Sequence, residues 1–423
     1  GFESGIDETG HQLPRTWPRS DCIAETALVF AYDWARTGNP ASRRIATQVL
    51  DYVWSEDFYH DDPESPLYGL VNWSERNPVF YGDDNARVIL PTLAARHLLD
   101  DDRWDEQVLR CVLANYRTGG KWGFRQNRLD APQFAGGEQV EETPDLAVGP
   151  VSQAPKDAWR RFHEEEVVSY APHYQAYLWA CYLWAYSLTE YQPLYDAALT
   201  AIRMTMDAYP DEWRWQNGMS QEIARMVLPL AFLVRLDDNE THRQWLSRIT
   251  DDLLALQVPS GGIRETIGDL EQGKYPPPQS NAAYGTAEAP LIQENGDPIC
   301  DLLYTTNFAF LGLHEAAAAT DEGDLREAED KLTDFMLRTQ VRSTTHPYLD
   351  GAWMRAFDYE LWEHWGSSAD LGWGAWCVES GWTNTWINGV LALRLMGKAL
   401  YDLSDAEPLK EMMPRLVEEM DLT

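Results

Sequence analysis

Lysine is nearly absent from this chain. It occurs at six positions (121, 156, 274, 331, 398 and 410) in 423 residues, beside 28 arginines and 68 acidic residues, and the formal net charge is −34. A chain so charged repels nucleic acid and anionic membrane surfaces, which recruit clustered Lys and Arg. No nucleic-acid or membrane partner is therefore expected. Acid excess with little lysine also fits a salt-rich environment, where screening relieves self-repulsion. An apolar run of about 18 residues, the length a bilayer span needs, is lacking as well. No signal peptide is visible at the start, GFESGIDETG. Removal of a leader or upstream domain is compatible with that start, so cytoplasmic and secreted locations are both left open.

Cysteine is equally sparse. The five cysteines, at 22, 111, 181, 300 and 377, form no C-x-x-C pair and are odd in number. That argues against a disulfide framework or a zinc site, and buried thiols are expected. No cofactor and no metal are expected. GDD at 82–84 and NGDP at 295–298 offer oxygen ligands suited to Ca²⁺ but match no EF-hand loop, and turn and capping roles account for such aspartates. NWS at 72–74 and NET at 239–241 fit the glycosylation pattern, which short sequences match by chance. Internal repeats are missing, which excludes a solenoid. No alternation of strands and helices supports an α/β fold.

What is present is helical periodicity, with enough apolar residues (44%) for a sizeable core. It predicts twelve helices in six pairs: 21–36 with 40–54, 83–99 with 102–116, 167–189 with 192–208, 217–235 with 240–257, 298–320 with 325–341, and 381–403 with 407–419. Links within pairs are short, as in TGNP and DEGD, whereas 55–82, 117–166, 258–297 and 342–380 are long. Long loops in a compact domain are usually functional. First partners such as YQAYLWACYLWAYSL and NFAFLGLHEAAAA are apolar nearly all round, the pattern of a buried helix. Second partners such as DRWDEQVLRCVLANY and LREAEDKLTDFMLRTQ are amphipathic. An inner ring of buried helices inside an amphipathic outer ring is an all-α (α/α)6 toroid, expected here as one catalytic domain over 1–423.

In such a toroid every inner helix begins on the long-loop face, so six helix starts converge on one funnel. They carry Arg19, Asp21 and Glu25; Asp83, Asp84 and Arg87; His163, Glu166 and His173; Trp215, Gln221, Glu222 and Arg225; Asp297, Asp301 and Tyr304; and Trp376, Glu379 and Trp382. Capping explains one or two of these acids. It does not explain arginine and histidine one turn inside, since cations are disfavoured there. The segment GAWMRAFDYELWEHWGSSADLGWGAW adds Trp353, Trp362, Trp365, Trp373 and Trp376. Flat rings stack on sugar faces while carboxylates bond hydroxyls, so a carbohydrate substrate is expected. Paired carboxylates across such a cleft perform glycoside hydrolysis. The catalytic candidates are Asp84 and its neighbour Asp83, with Glu379 and Asp297 as the second carboxylate. Substrate-binding candidates are Arg19, Asp21, Arg87, His173, Trp215, Glu222, Arg225, Tyr304, Trp365, Trp373, Trp376 and Trp382. Oligomeric state is left open.

The segments YGDDNARVIL, NAAYGTAEAPLIQENGDPICDLLYTTN and FDYELWEHWGSSADLGWGAWCVESGW resemble the (α/α)6 glycoside hydrolases. The nearest in style are the unsaturated glucuronyl hydrolases and toroid β-glucuronidases. The resemblance implies an acidic or neutral sugar in a funnel, with Asp or Glu as proton donor. It also gives Arg19, Arg87, Arg225 and His173 a task, since arginine binds a uronate carboxylate bidentately. A toroid hosts other chemistries too. A polysaccharide lyase would draw on His163, Tyr170, His173 and Tyr174. A sugar epimerase would draw on His173 and His364. A non-catalytic carbohydrate-binding toroid would keep the tryptophans alone. Hydrolase comes first in this reading, lyase second, epimerase third.

Overall fold

A computed structural model describes residues 18–139, 154–364, 378–379 and 381–423, together with the backbone of 3–6 and 12–15. Twelve long helices run through the described residues, in the expected pairs. Ser20–Thr37 is followed by Pro40–Val53, Gly82–Leu99 by Asp105–Arg117, and Pro172–Thr189 by Gln192–Asp207. Then come Met219–Leu236 with Glu240–Leu254, Asn307–Thr320 with Gly323–Thr339, and Trp382–Met396 with Ala406–Glu419. No helix of the structure is long and apolar enough to cross a membrane.

The chain divides into two compact units. One comprises 17–170, 174–208 and 400–423; the other comprises 1–16, 171–173 and 209–399. In the first, Ser20–Thr37 packs on both Pro40–Val53 and Gly82–Leu99, and Asp105–Arg117 packs on Gly82–Leu99 and Ala406–Glu419. In the second, Met219–Leu236 packs on Glu240–Leu254 and Asn307–Thr320, which in turn meets Gly323–Thr339 and Trp382–Met396.

The contrast between partners is one of burial. Every residue from Ser220 to Val234 is buried, whereas Glu240–Leu254 buries only His242, Leu246, Ile249, Thr250 and Leu253, a single face. Local chemistry sets the ends. Asn39 and Asn239 cap their helices by accepting the N–H of Ala41 and His242, and Pro40 occupies the first position, where no N–H is needed. Gly38 closes the first helix at φ 68°, a left-handed conformation that costs glycine nothing. Two helix starts depart from expectation. The third first-partner begins at Pro172 instead of 167. The fifth is not helical from 298: Ile299–Asp301 is a strand, paired antiparallel with Ala356–Asp358, and Leu302–Thr306 is a π-turn that leads into Asn307–Thr320. The apolar run ICDLL suits either a strand or a helix, and periodicity cannot separate them.

Four of the five cysteines, 22, 111, 181 and 300, are buried and form no disulfide among the described residues; Cys377 lies outside them. Asn72 of the NWS triplet is buried, with its amide engaged by His60 and the Asp57 carbonyl, so that site is closed to a glycan.

Candidate functional site

Each unit gathers the charged residues of its helix starts into one cluster. In the first unit, strand Val79–Tyr81, paired with Arg128–Asp130, leads directly into helix Gly82–Leu99. Tyr81 holds the N-cap position and offers no side-chain cap. Asp83 and Asp84 follow in the first turn, where the helix dipole favours acids. Both face arginine. Arg87 Nη2 lies 2.5 Å from Asp21 Oδ2, 3.6 Å from Asp84 Oδ1 and 3.8 Å from Asp83 Oδ2, and its Nη1 donates to Glu25 Oε1 at 3.0 Å. Arg19 Nη2 donates to Asp21 Oδ2 at 2.9 Å and to Asp84 Oδ1 at 3.0 Å.

Four carboxyls thus share two guanidiniums in a buried cluster. Burial first, then repulsion from Asp21 and Asp83, push the Asp84 carboxyl well above the usual range, and Arg19 and Arg87 only partly oppose this. Asp84 is also the acid that reaches solvent: its side chain is 6% exposed, against 2% for Asp83, 1% for Glu25 and none for Asp21. The rim beside it is aromatic. The Arg19 guanidinium sits 5.6 Å from the ring of half-buried Trp73, which meets half-buried Tyr81 edge-on at 6.1 Å. Sequence reasoning missed both rings. Trp73 stood inside the NWS triplet, and Tyr81 directly precedes GDD.

The second unit uses hydrogen bonds where the first uses charge. Helix Met219–Leu236 starts at Gly218, and its first turns carry Gln221, Glu222 and Arg225. Glu222 Oε1 accepts the N–H of Gln216 at 3.0 Å, and its Oε2 accepts the N–H of His173 at 2.6 Å. Arg225 Nη1 donates to the His173 carbonyl at 3.3 Å, with its guanidinium 3.9 Å from the Phe308 ring centre. The His173 ring lies 6.0 Å from Tyr304 and 6.5 Å from Trp382, and those two rings meet edge-on at 5.0 Å. Trp382 holds φ at 30°, a strained value for a bulky residue and of a kind concentrated at functional sites. Tyr304 sits in the π-turn, another feature frequent at such sites, and its hydroxyl donates to half-buried Glu288 at 2.8 Å.

A second buried acid group lies in this unit. Asp301 Oδ1 accepts the N–H groups of Leu303 and Tyr304, and its Oδ2 pairs with Arg355 at 3.1 Å. Ser220 donates to Glu265 at 2.8 Å. Burial, reinforced by the Asp301 charge, raises Glu265 to about 8. Glu265, Glu288 and Arg355 come from the long loops, where no periodicity marked them.

The structure therefore joins Arg19, Asp21, Asp83, Asp84 and Arg87 in one cluster, and His173, Glu222, Arg225, Tyr304 and Trp382 in another. Other expectations change. Asp297 does not open a helix; its carboxylate accepts the Gln293 and Glu294 N–H groups in a turn before the strand. Trp215 is fully buried, donates to the Asp269 carbonyl, and is packed against Gly268 and Gly273, so its ring cannot stack on a substrate. Arg19 and Arg87 pair with acids of the protein itself, and Arg225 donates to the His173 carbonyl and lies over aromatic rings. Backbone pairing sets Glu379 opposite Glu3 in a short antiparallel sheet. Trp365, Trp373 and Trp376 lie outside the described residues. Among the described residues, no group of three or more His, Cys, Asp or Glu is arranged to hold a metal ion.

No protein-family model matches the chain, and no curated protein does. Solved structures do. Cellobiose 2-epimerase from Spirochaeta thermophila is similar at 13% identity and a TM-score of 0.56, over 90% of this chain and 88% of that one. An unsaturated glucuronyl hydrolase specific for heparin is similar at 9% identity and a TM-score of 0.54, over 95% and 92%. An unsaturated glucuronyl hydrolase from a Bacillus species, responsible for glycosaminoglycan degradation, is similar at 11% identity and a TM-score of 0.53, over 93% and 90%. The fold is that of these enzymes, the (α/α)6 toroid.

Proposed function

We propose that the protein is a carbohydrate-active enzyme that hydrolyses a glycosidic bond, with Asp84 as general acid. The observation behind this is the setting of Asp84: a carboxyl raised well above the usual range by burial and by Asp21 and Asp83, bound to Arg19, whose guanidinium lies 5.6 Å from the Trp73 ring. A carboxyl that holds its proton more tightly than usual suits donation to a departing glycosidic oxygen. Asp83 is the neighbouring carboxylate and Arg87 orients the pair. The fold's occurrence in both glucuronyl hydrolases and sugar epimerases supports sugar chemistry without choosing between the two.

The test is incubation with plant and algal oligosaccharides, read by reducing ends, near-ultraviolet absorbance and mass. Hydrolysis yields a new reducing end and the mass of water without absorbance. An absorbing 4,5-unsaturated product would transfer the assignment to a lyase, and a changed sugar of unchanged mass to an epimerase. Binding without any product would favour a non-catalytic toroid.

A further inference from the structure

The geometry points to Gln221 as a positioning residue that fixes the tautomer of His173, making that histidine a hydrogen-bond donor at Nε2 instead of a proton-abstracting base. The inference goes beyond the proposed hydrolysis and does not depend on it. It begins with the amide of Gln221. Its Oε1 accepts the backbone N–H of Asn217 at 3.2 Å, which settles which end of the amide is oxygen. The other end, Nε2, therefore faces His173 Nδ1, with which it is hydrogen-bonded. An amide nitrogen only donates, so Nδ1 must be the bare, accepting nitrogen of the ring. The ring proton then sits on Nε2.

The surroundings hold this arrangement in place. Glu222, the next residue on the same helix, is occupied by the N–H groups of Gln216 and His173. Arg225 donates to the His173 carbonyl. Tyr304 and Trp382 bound the ring, and the Tyr304 hydroxyl is directed to Glu288. Gln221 is completely buried, so water does not compete for its amide. A ring in this state is a hydrogen-bond donor, not an acceptor, at Nε2. It cannot take a carbon-bound proton at Nε2 without first losing its own, and Nδ1 is covered. Proton abstraction by His173 itself is thereby disfavoured.

Nitrogen-15 NMR of protein labelled in histidine tests this without any substrate, so it stands apart from the outcome of the oligosaccharide panel. His173→Gln assigns the resonance. The expected pattern is a protonated Nε2, coupled to both ring carbon protons, and a bare Nδ1. Gln221→Glu should move the proton to Nδ1, because a carboxylate accepts. Gln221→Leu should release the ring into tautomer exchange. A wild-type spectrum with the proton on Nδ1, or with averaged nitrogens, would overturn the inference even if neither variant folds. An unchanged Nε2–H tautomer in folded Gln221→Leu would remove Gln221 from the account.

Discussion

Two helix starts share a local sequence pattern and meet opposite surroundings. DDNARVILP runs from Asp83 to Pro91, and QEIARMVLP runs from Gln221 to Pro229. In both, an acid stands three residues before a buried arginine, and a proline stands four residues after it. Asp84 meets Arg19, Arg87 and two further acids, and is pushed toward the neutral form. Glu222 meets two backbone N–H groups, the donors that best satisfy a carboxylate. Donor supply, more than burial, distinguishes the two sites. Both carboxyls are buried, but only one competes with like charges for too few cations.

Substitutions can break this comparison. The largest effect is expected at Asp84. Asp84→Asn should lower kcat by about 10²–10⁴, the usual contribution of a general acid, with little change in the melting curve. Near-normal turnover in a folded variant would remove Asp84 from the chemistry. Arg87→Met leaves Asp21 and Glu25 buried without their shared cation. It should cost about 3–5 kcal/mol in denaturant unfolding, as breaking a buried ion pair does. A loss below about 1 kcal/mol, the scale of an exposed pair, would show that the cluster is solvated. Glu222→Gln faces one of the two N–H groups with an NH₂. A destabilisation of about 1–3 kcal/mol follows from the unmet donor. If activity fell as steeply as in Asp84→Asn while stability held, the two acids would not differ in the way argued.

Glu265 sharpens the comparison through pH. Its folded value, about 8, lies above the ordinary 4.5, so the native state binds the proton more tightly than the unfolded chain. Its contribution is complete below about 4.5 and is lost as pH rises toward 8. Within that window stability should fall by up to about 1.4 kcal/mol per pH unit, and Glu265→Gln should flatten the slope. An identical pH profile in the variant would contradict the assignment. The smallest effect per group is surface repulsion. With a net charge of −34, the melting temperature should rise between about 0.1 and 2 M KCl. A flat or falling curve would exclude adaptation to salt.

By itself the sequence determined the ring of helices and the residues at their starts. Apolar periodicity is a local signal, and it located the helices of both units, but it began the third first-partner at 167 instead of Pro172, carried the sixth on to 403 instead of Met396, and read 298–306 as helix, where strand and helix look alike. It also singled out Asp84, Arg87, His173 and Glu222. What it could not decide was the role each one takes. Asp84 meets Arg19 across 65 residues of chain, and Glu222 reaches the His173 N–H across 49. Trp215 looked like a stacking platform until Gly268 and Gly273 closed over it, and Asp297 looked like a helix-start acid until a turn consumed it. Trp73, Tyr81, Glu265 and Glu288 carried no periodic mark because they come from loops, or from a strand of three residues. Protonation, burial and donor supply are properties of neighbours in space, and only the tertiary structure brings those neighbours together.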